Sequence, residues 1–193
     1  MIAPARLVSF DHLPGSTSFD DAVRTWIVAR QTPPAIQIAA FLSKVCSPGW
    51  MRWFGMAAAV LLLVLGRRRA AVAMAAAPWL ALAAYSGIRR ILPRARPPGV
   101  AGYHEAASSF PSAHSTTSAA VCCALAYLVW REHLVPGPAA LAIAILPPLF
   151  IGLSRVYLDV HWSTDVLGGW GVGLVIMAIA IAVYRLLPAA IER

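Results

Sequence analysis

Charge is scarce in this chain. Only 12% of its 193 residues are charged and eight are acidic, against 60% hydrophobic, where an ordinary soluble domain carries about 25% charged and 45–50% apolar residues. A soluble fold of this size has no interior large enough for so much apolar surface, whereas helices of about 20 residues can turn it toward lipid. Cysteine is scarce too: Cys46, Cys122 and Cys123 are odd in number and two are adjacent, which excludes a disulfide framework and a CxxC metal site. No internal repeat or low-complexity tract is present, so neither a solenoid nor an inverted-repeat transporter is indicated. The first twenty residues hold no apolar run of the length a signal peptide needs. The net charge of +8 comes from sixteen basic residues scattered among apolar segments, which argues against a nucleic-acid partner.

What is present is a series of apolar segments separated by short polar joints. Spans are expected at 50–66, 70–88, 112–130, 134–153 and 166–187, so the fold class is all-α, a polytopic membrane bundle with five transmembrane helices. Residues 1–49 read as an N-terminal amphipathic and interfacial segment, and 50–193 as the membrane-embedded domain. Within the former, Phe19, Val23, Trp26 and Ile27 recur at helical spacing behind Ser18 as a cap. The segment 35–45, ended by Ser47-Pro48-Gly49, is too short to span on its own. Arg67-Arg68-Arg69 forces a tight hairpin between the first two spans. Pro147-Pro148 should kink the fourth span, and Gly169 with Gly173 offers a small-residue face for close helix contact.

Titratable residues gather at three joints, and an up-down bundle brings all three to one membrane face. The first runs from Arg89 through Arg96 to Pro97-Pro98, in a loop expected over 89–111; Arg90 and Arg94 there read as interfacial anchors. The second is Ser109-Phe110-Pro111-Ser112-Ala113-His114. Ser109 is the expected N-cap, and the backbone donors of Ser112, Ala113 and His114 would be open to an anion. The third holds Arg155, His161 and Asp165, the last two at i and i+4. Asp165 could orient the imidazole and leave a ring lone pair free for attack, while Arg155 supplies a fixed charge for a phosphate or carboxylate.

Those residues resemble the type 2 phosphatidic acid phosphatase family, related to the haloperoxidases. Its motifs, Lys-x6-Arg-Pro, Pro-Ser-Gly-His and Ser-Arg-x5-His-x3-Asp, are matched in order by Arg89-x6-Arg96-Pro97, Pro111-Ser112-Ala113-His114 and Ser154-Arg155-x5-His161-x3-Asp165. The resemblance covers about 50–187. It implies a hydrolase that uses neither metal nor cofactor, with His161 forming a phosphohistidine, Asp165 polarising it and His114 serving as acid and then base. Arg89, Arg96, Arg155, Ser112 and the backbone at Ala113 would bind the phosphoryl oxygens. Arg89 replaces lysine and Ala113 replaces glycine, so Ala113 is expected in ordinary helical geometry. The family core usually has six spans, and the N-terminal helices are expected to stand in for the missing one.

A phosphate site flush with the interface suits a lipid phosphate: phosphatidic acid, phosphatidylglycerol phosphate and undecaprenyl pyrophosphate fit equally. The resemblance places the chain in a bacterial inner membrane with the active face extracytoplasmic. Basic residues count ten on that face against six on the other, so the orientation comes from the resemblance and not from the charges. The alternative is a non-catalytic phospholipid-binding or lipid-translocating protein.

Overall fold

The computed structural model describes residues 15–99 and 108–188. The first part of the N-terminal segment and residues 100–107 of the Arg-rich loop lie outside them. Among the described residues the chain forms seven helices and no strand: α1 (Ser18–Val28), α2 (Pro33–Val45), α3 (Pro48–Val64), α4 (Arg68–Ile91), α5 (Ala113–Arg131), α6 (Gly137–Tyr157) and α7 (Ser163–Leu186).

The helices α4, α5, α6 and α7 are each long and apolar enough to cross a membrane. The expected first span corresponds to α3, of 17 residues, which is long enough to cross only together with α2, from which it is bent by 50°, the geometry of a broken span or of a re-entrant loop. Ser47-Pro48-Gly49 is thus the bend between two joined helices, because Pro48 and Gly49 start a new helix as well as ending the old one. The hairpin between α3 and α4 closes on Gly66 at φ +77. Arg67 donates its N–H to Leu62 and Gly66 donates to Leu63, which satisfies the carbonyls at the end of α3.

The most buried span is α5, which packs against α3, α4, α6 and α7. Its approach to α7 depends on two glycines. A Cβ on Gly169 would lie 2.8 Å from Ser115 Cβ and 2.9 Å from the Ser112 carbonyl, and one on Gly173 would lie 2.5 Å from Ala119 Cβ. The pair therefore lets α7 lie directly on the backbone of α5 next to the second motif. Helix α6 continues through Pro147-Pro148 as one element. Pro148 has no N–H to give the carbonyl of Ala144, and Cys123 Sγ of α5 donates to that oxygen at 3.4 Å instead.

The first helix differs from its expected form. Thr17, not Ser18, is the N-cap, because Thr17 and Asp20 complete a reciprocal capping box. The apolar stripe is divided, with Phe19 and Trp26 exposed and Val23 and Ile27 half-buried, and the residue that α1 buries is Asp20, 1% exposed. Arg24 fastens the helix to the bundle by a two-pronged pair with Asp159, at 2.7 and 2.8 Å.

Candidate active site

Helix α4 runs past the expected end of its span to Ile91, so Arg89 sits on its last turn and not in the loop. Its Nε donates to the carbonyl of Pro111 at 3.1 Å, tying the first motif to the second. Arg96 lies beyond the helix and reaches the third motif. Its Nη1 donates to the Val160 carbonyl at 2.6 Å and lies 3.0 Å from His161 Nε2.

The second motif starts α5 differently from expectation. Ser112 is the N-cap and accepts from Ser115 N. Ser109 is buried elsewhere, its hydroxyl donating to the Ala95 carbonyl at 3.2 Å. The Ser112 N–H, expected to be open to an anion, is taken by the carbonyl of Asp165 at 3.0 Å. Ala113 opens the helix in ordinary geometry, as its Cβ requires. His114 follows on the first turn, and its Nε2 is 3.1 Å from the carbonyl of Ser43. A carbonyl only accepts, so this nitrogen carries a proton.

In the third motif, Arg155 is on the last turn of α6, where it is buried, and its Nη1 donates to the Ser43 hydroxyl. His161 and Asp165 meet, though not along one helix face. His161 precedes α7, Trp162 is the N-cap, and Asp165 is the third helical residue. The carboxylate folds back over the cap: Oδ2 accepts from Trp162 N at 2.9 Å and lies 3.4 Å from His161 Nδ1. Both side chains are buried. A guanidinium can only donate, so Arg96 assigns the lone pair of His161 to Nε2 and leaves the proton on Nδ1, facing Asp165.

The three motifs thus meet around two imidazoles. Arg89, Arg155 and His161 all lie within electrostatic reach of His114. Ser43, which links His114 to Arg155, was not singled out in the sequence. It lies on a helix that reads as a short interfacial piece, and nothing in its neighbours marks it. Arg94, expected as an interfacial anchor, is instead bonded to Asp165 Oδ1 at 2.6 Å, with most of its side chain buried. Among the described residues, no group of three or more His, Cys, Asp or Glu converges as a metal site would need.

A groove of about 390 Å³ lies beside this cluster, between α1, α2 and α6. Trp26, Ile38, Ala39, Leu42, Phe150 and Leu153 line it. Ala39 and Ser43 are one turn apart on α2, and Ser154 of the groove precedes Arg155. The apolar groove therefore ends within one helical turn of the polar cluster.

The PAP2 superfamily model matches residues 90–189. Phosphatidylglycerophosphatase B of Bacillus subtilis is 38% identical over 100 residues, covering 46% of this chain and 45% of the relative. Decaprenylphosphoryl-5-phosphoribose phosphatase of Mycolicibacterium smegmatis is 40% identical over 121 residues, covering 61% and 62%. The chain thus matches less than two thirds of the length of either relative. The crystal structure of a transmembrane PAP2-type phosphatidylglycerolphosphate phosphatase from Bacillus subtilis superposes with a TM-score of 0.61 over 88% of this chain and 86% of that chain, at 23% identity. The likeness shows a shared membrane fold.

Proposed function

Because this chain belongs to the PAP2 superfamily, we propose that it is an integral membrane lipid phosphatase. It hydrolyses a phosphate monoester or pyrophosphate carried by a lipid, of the phosphatidic acid, phosphatidylglycerol phosphate or undecaprenyl pyrophosphate type. The observation that carries this reading is the 3.0 Å contact between Arg96 Nη1 and His161 Nε2. It puts a phosphate-binding cation against the one ring nitrogen that has a lone pair.

In the reaction, a phosphoryl oxygen displaces Arg96 from Nε2 and takes its donors. The Nε2 lone pair forms an N–P bond, and the bond from phosphorus to the leaving oxygen breaks with its electron pair. That oxygen takes the Nε2 proton of His114, which is in its imidazolium form once the anionic phosphoryl group is bound; released from Ser43, the ring is left as neutral imidazole. Asp165 accepts from Nδ1–H and stabilises the ring as it becomes cationic. A water then attacks phosphorus and passes its proton to His114, and the N–P pair returns to His161. Arg89, Arg96, Arg155 and the start of α5 at Ser112 and Ala113 hold the equatorial oxygens, where phosphoryl transfer needs charge neutralised. The groove would take the hydrocarbon tail, which fits a substrate anchored in the bilayer. The active face is assigned to the outer side of a bacterial cytoplasmic membrane, and a reporter fused after Arg193 that is active only when exported would overturn that side.

The test is phosphate release by the purified chain in detergent from those three lipid classes, with His161→Ala as control. Release from at least one is expected, persisting in chelator and accompanied by an acid-labile phosphoenzyme that His161→Ala lacks. Wild-type turnover in His161→Ala would sink the nucleophile assignment. Binding of lipid phosphate with no release by the wild type would make the chain a binding or translocating protein.

A further inference from the structure

The carboxylate behind His161 is itself held from behind. Asp165 is completely buried, and a buried carboxylate stays ionised only against a nearby positive charge and good donors. Arg94 Nη1 supplies both at 2.6 Å. The same nitrogen donates to Thr164 Oγ1 at 2.7 Å, while Nη2 donates to Asp20 Oδ2 at 2.7 Å. Asp20 also accepts from Thr164 N at 2.9 Å and from Thr164 Oγ1 at 2.8 Å. One guanidinium is therefore clamped between two carboxylates, one on α7 beside the imidazole and the other on α1, 145 residues earlier.

We infer that Asp20 and Arg94 are positioning residues for His161: Arg94 fixes the orientation of Asp165, and Asp20 fixes Arg94. The amphipathic first helix is then part of what orients the nucleophile. Two features separate this from simple docking of α1. Docking already has its own fastener, the Arg24–Asp159 pair, which bonds neither His161 nor Asp165. The Asp20 arm instead ends on the oxygen of Asp165 that His161 does not use, which leaves Oδ2 for the Trp162 N–H and the imidazole. Without Asp20, Nη2 of Arg94 loses its acceptor while Nε still donates to the Gly15 carbonyl at 2.6 Å and Nη1 to Thr164, so the guanidinium keeps its place but holds Asp165 Oδ1 in a less fixed orientation.

The inference rests on the phosphatase reading for its kinetic consequence but not for its spectroscopic one, so the experiment reads both. Full-length chain in nanodiscs is compared as wild type, Asp20→Asn, Asp20→Glu, Arg94→Lys and Arg24→Gln. The readouts are kcat, KM, melting temperature and the 15N signature of the His161 ring. Asp20→Asn and Arg94→Lys should each lower kcat at least tenfold with KM within twofold, and convert His161 from a single Nδ1-protonated tautomer to a mixture. Asp20→Glu should recover part of the loss. Arg24→Gln should keep kcat within twofold and leave the tautomer unchanged, even where its melting temperature falls as far. The inference is overturned if Asp20→Asn and Arg24→Gln lose kcat in parallel with melting temperature, or if Asp20→Asn keeps both kcat and tautomer. If Asp20→Asn does not fold, Arg94→Lys decides by the same criteria. Should the chain release no phosphate from any lipid, the phosphatase reading fails separately, and the His161 tautomer alone decides this one.

Discussion

The two ends of the bundle are both rich in arginine, yet they are built on different partners. At the end formed by the start of α4 and the ends of α5 and α7, the buried group is a carboxylate. Glu132 accepts from the Tyr184 hydroxyl at 2.5 Å and lies 3.4 Å from Arg67 Nη1. Arg69 donates to the Tyr184 carbonyl at 2.9 Å and covers its ring at 4.8 Å. His133 is exposed there. At the other end the buried groups around Arg89, Arg96 and Arg155 include two imidazoles, His114 and His161. A carboxylate gives a guanidinium both acceptor atoms and opposite charge, so the Glu132 end is a finished clamp. At the His161 end Arg96 meets a ring nitrogen, while the carboxylates of Asp20 and Asp165 are held by Arg94; in the proposed function the anionic substrate sits against Arg96 and His161.

The comparison breaks if arginines at both ends prove interchangeable with lysine. Arg96→Lys keeps the charge but loses the fork whose Nη1 meets the Val160 carbonyl and His161 Nε2 while Nη2 donates to the Ser108 carbonyl. It should lower kcat/KM by about 100- to 1,000-fold, the range seen when one transition-state donor is removed. Arg69→Lys at the far end should change kcat/KM by no more than about threefold. Phosphate release from one lipid substrate measures both, and equal losses would erase the distinction.

The far end should instead answer in stability. Glu132→Ala leaves the buried Tyr184 hydroxyl without its acceptor and Arg67 without its counter-ion, a cost on the order of 2 kcal/mol. The melting temperature in detergent should fall while kcat stays within about threefold of wild type. A variant that melts normally would show that the Glu132 clamp adds no stability, and one that loses activity without losing stability would show that the two ends are coupled.

The difference in partners also explains what could be read from the sequence. Arg89, Arg96, Ser112, His114, Arg155, His161 and Asp165 stand at fixed spacings inside three short motifs, and each motif was assigned to one membrane face by counting spans. The His161–Asp165 contact was legible from its spacing of four, although a cap brings the pair together and not a helical turn. Ser43 was illegible because its partners lie 71 and 112 residues away. Asp20 was hidden by a sufficient local reason for an acid at that place, the capping box with Thr17. Arg94 was hidden by its neighbours, since one arginine among several at a helix end is ordinarily an anchor. The pairing of α2 with α3 was not legible, because 50–66 reads as a complete span by itself and the 50° bend that sets it against α2 is a feature of the folded chain.

The smallest expected effect sharpens the comparison within the site end. Burial pushes the Asp20 carboxyl up, but hydrogen bonds from Thr164, Thr17 and Arg94 together outweigh it and hold the group below its ordinary value. A group depressed in the folded state contributes stability above its unfolded pKa of about 4, and that contribution is lost as pH falls through the folded value. Acid should therefore loosen α1 from Arg94 and Thr164 before it disturbs the α3–α4 hairpin, whose closure at Gly66 uses backbone groups that do not titrate in this range. Hydrogen exchange of α1 amides, followed downward from pH 5 with the hairpin amides as internal reference and intrinsic exchange corrected, reads this directly. In Asp20→Asn, α1 should be looser from the start and its acid response smaller than in the wild type, with the Arg24–Asp159 pair still holding the helix. If α1 and the hairpin instead open together in both proteins, Asp20 is not the group that ties the first helix to the site.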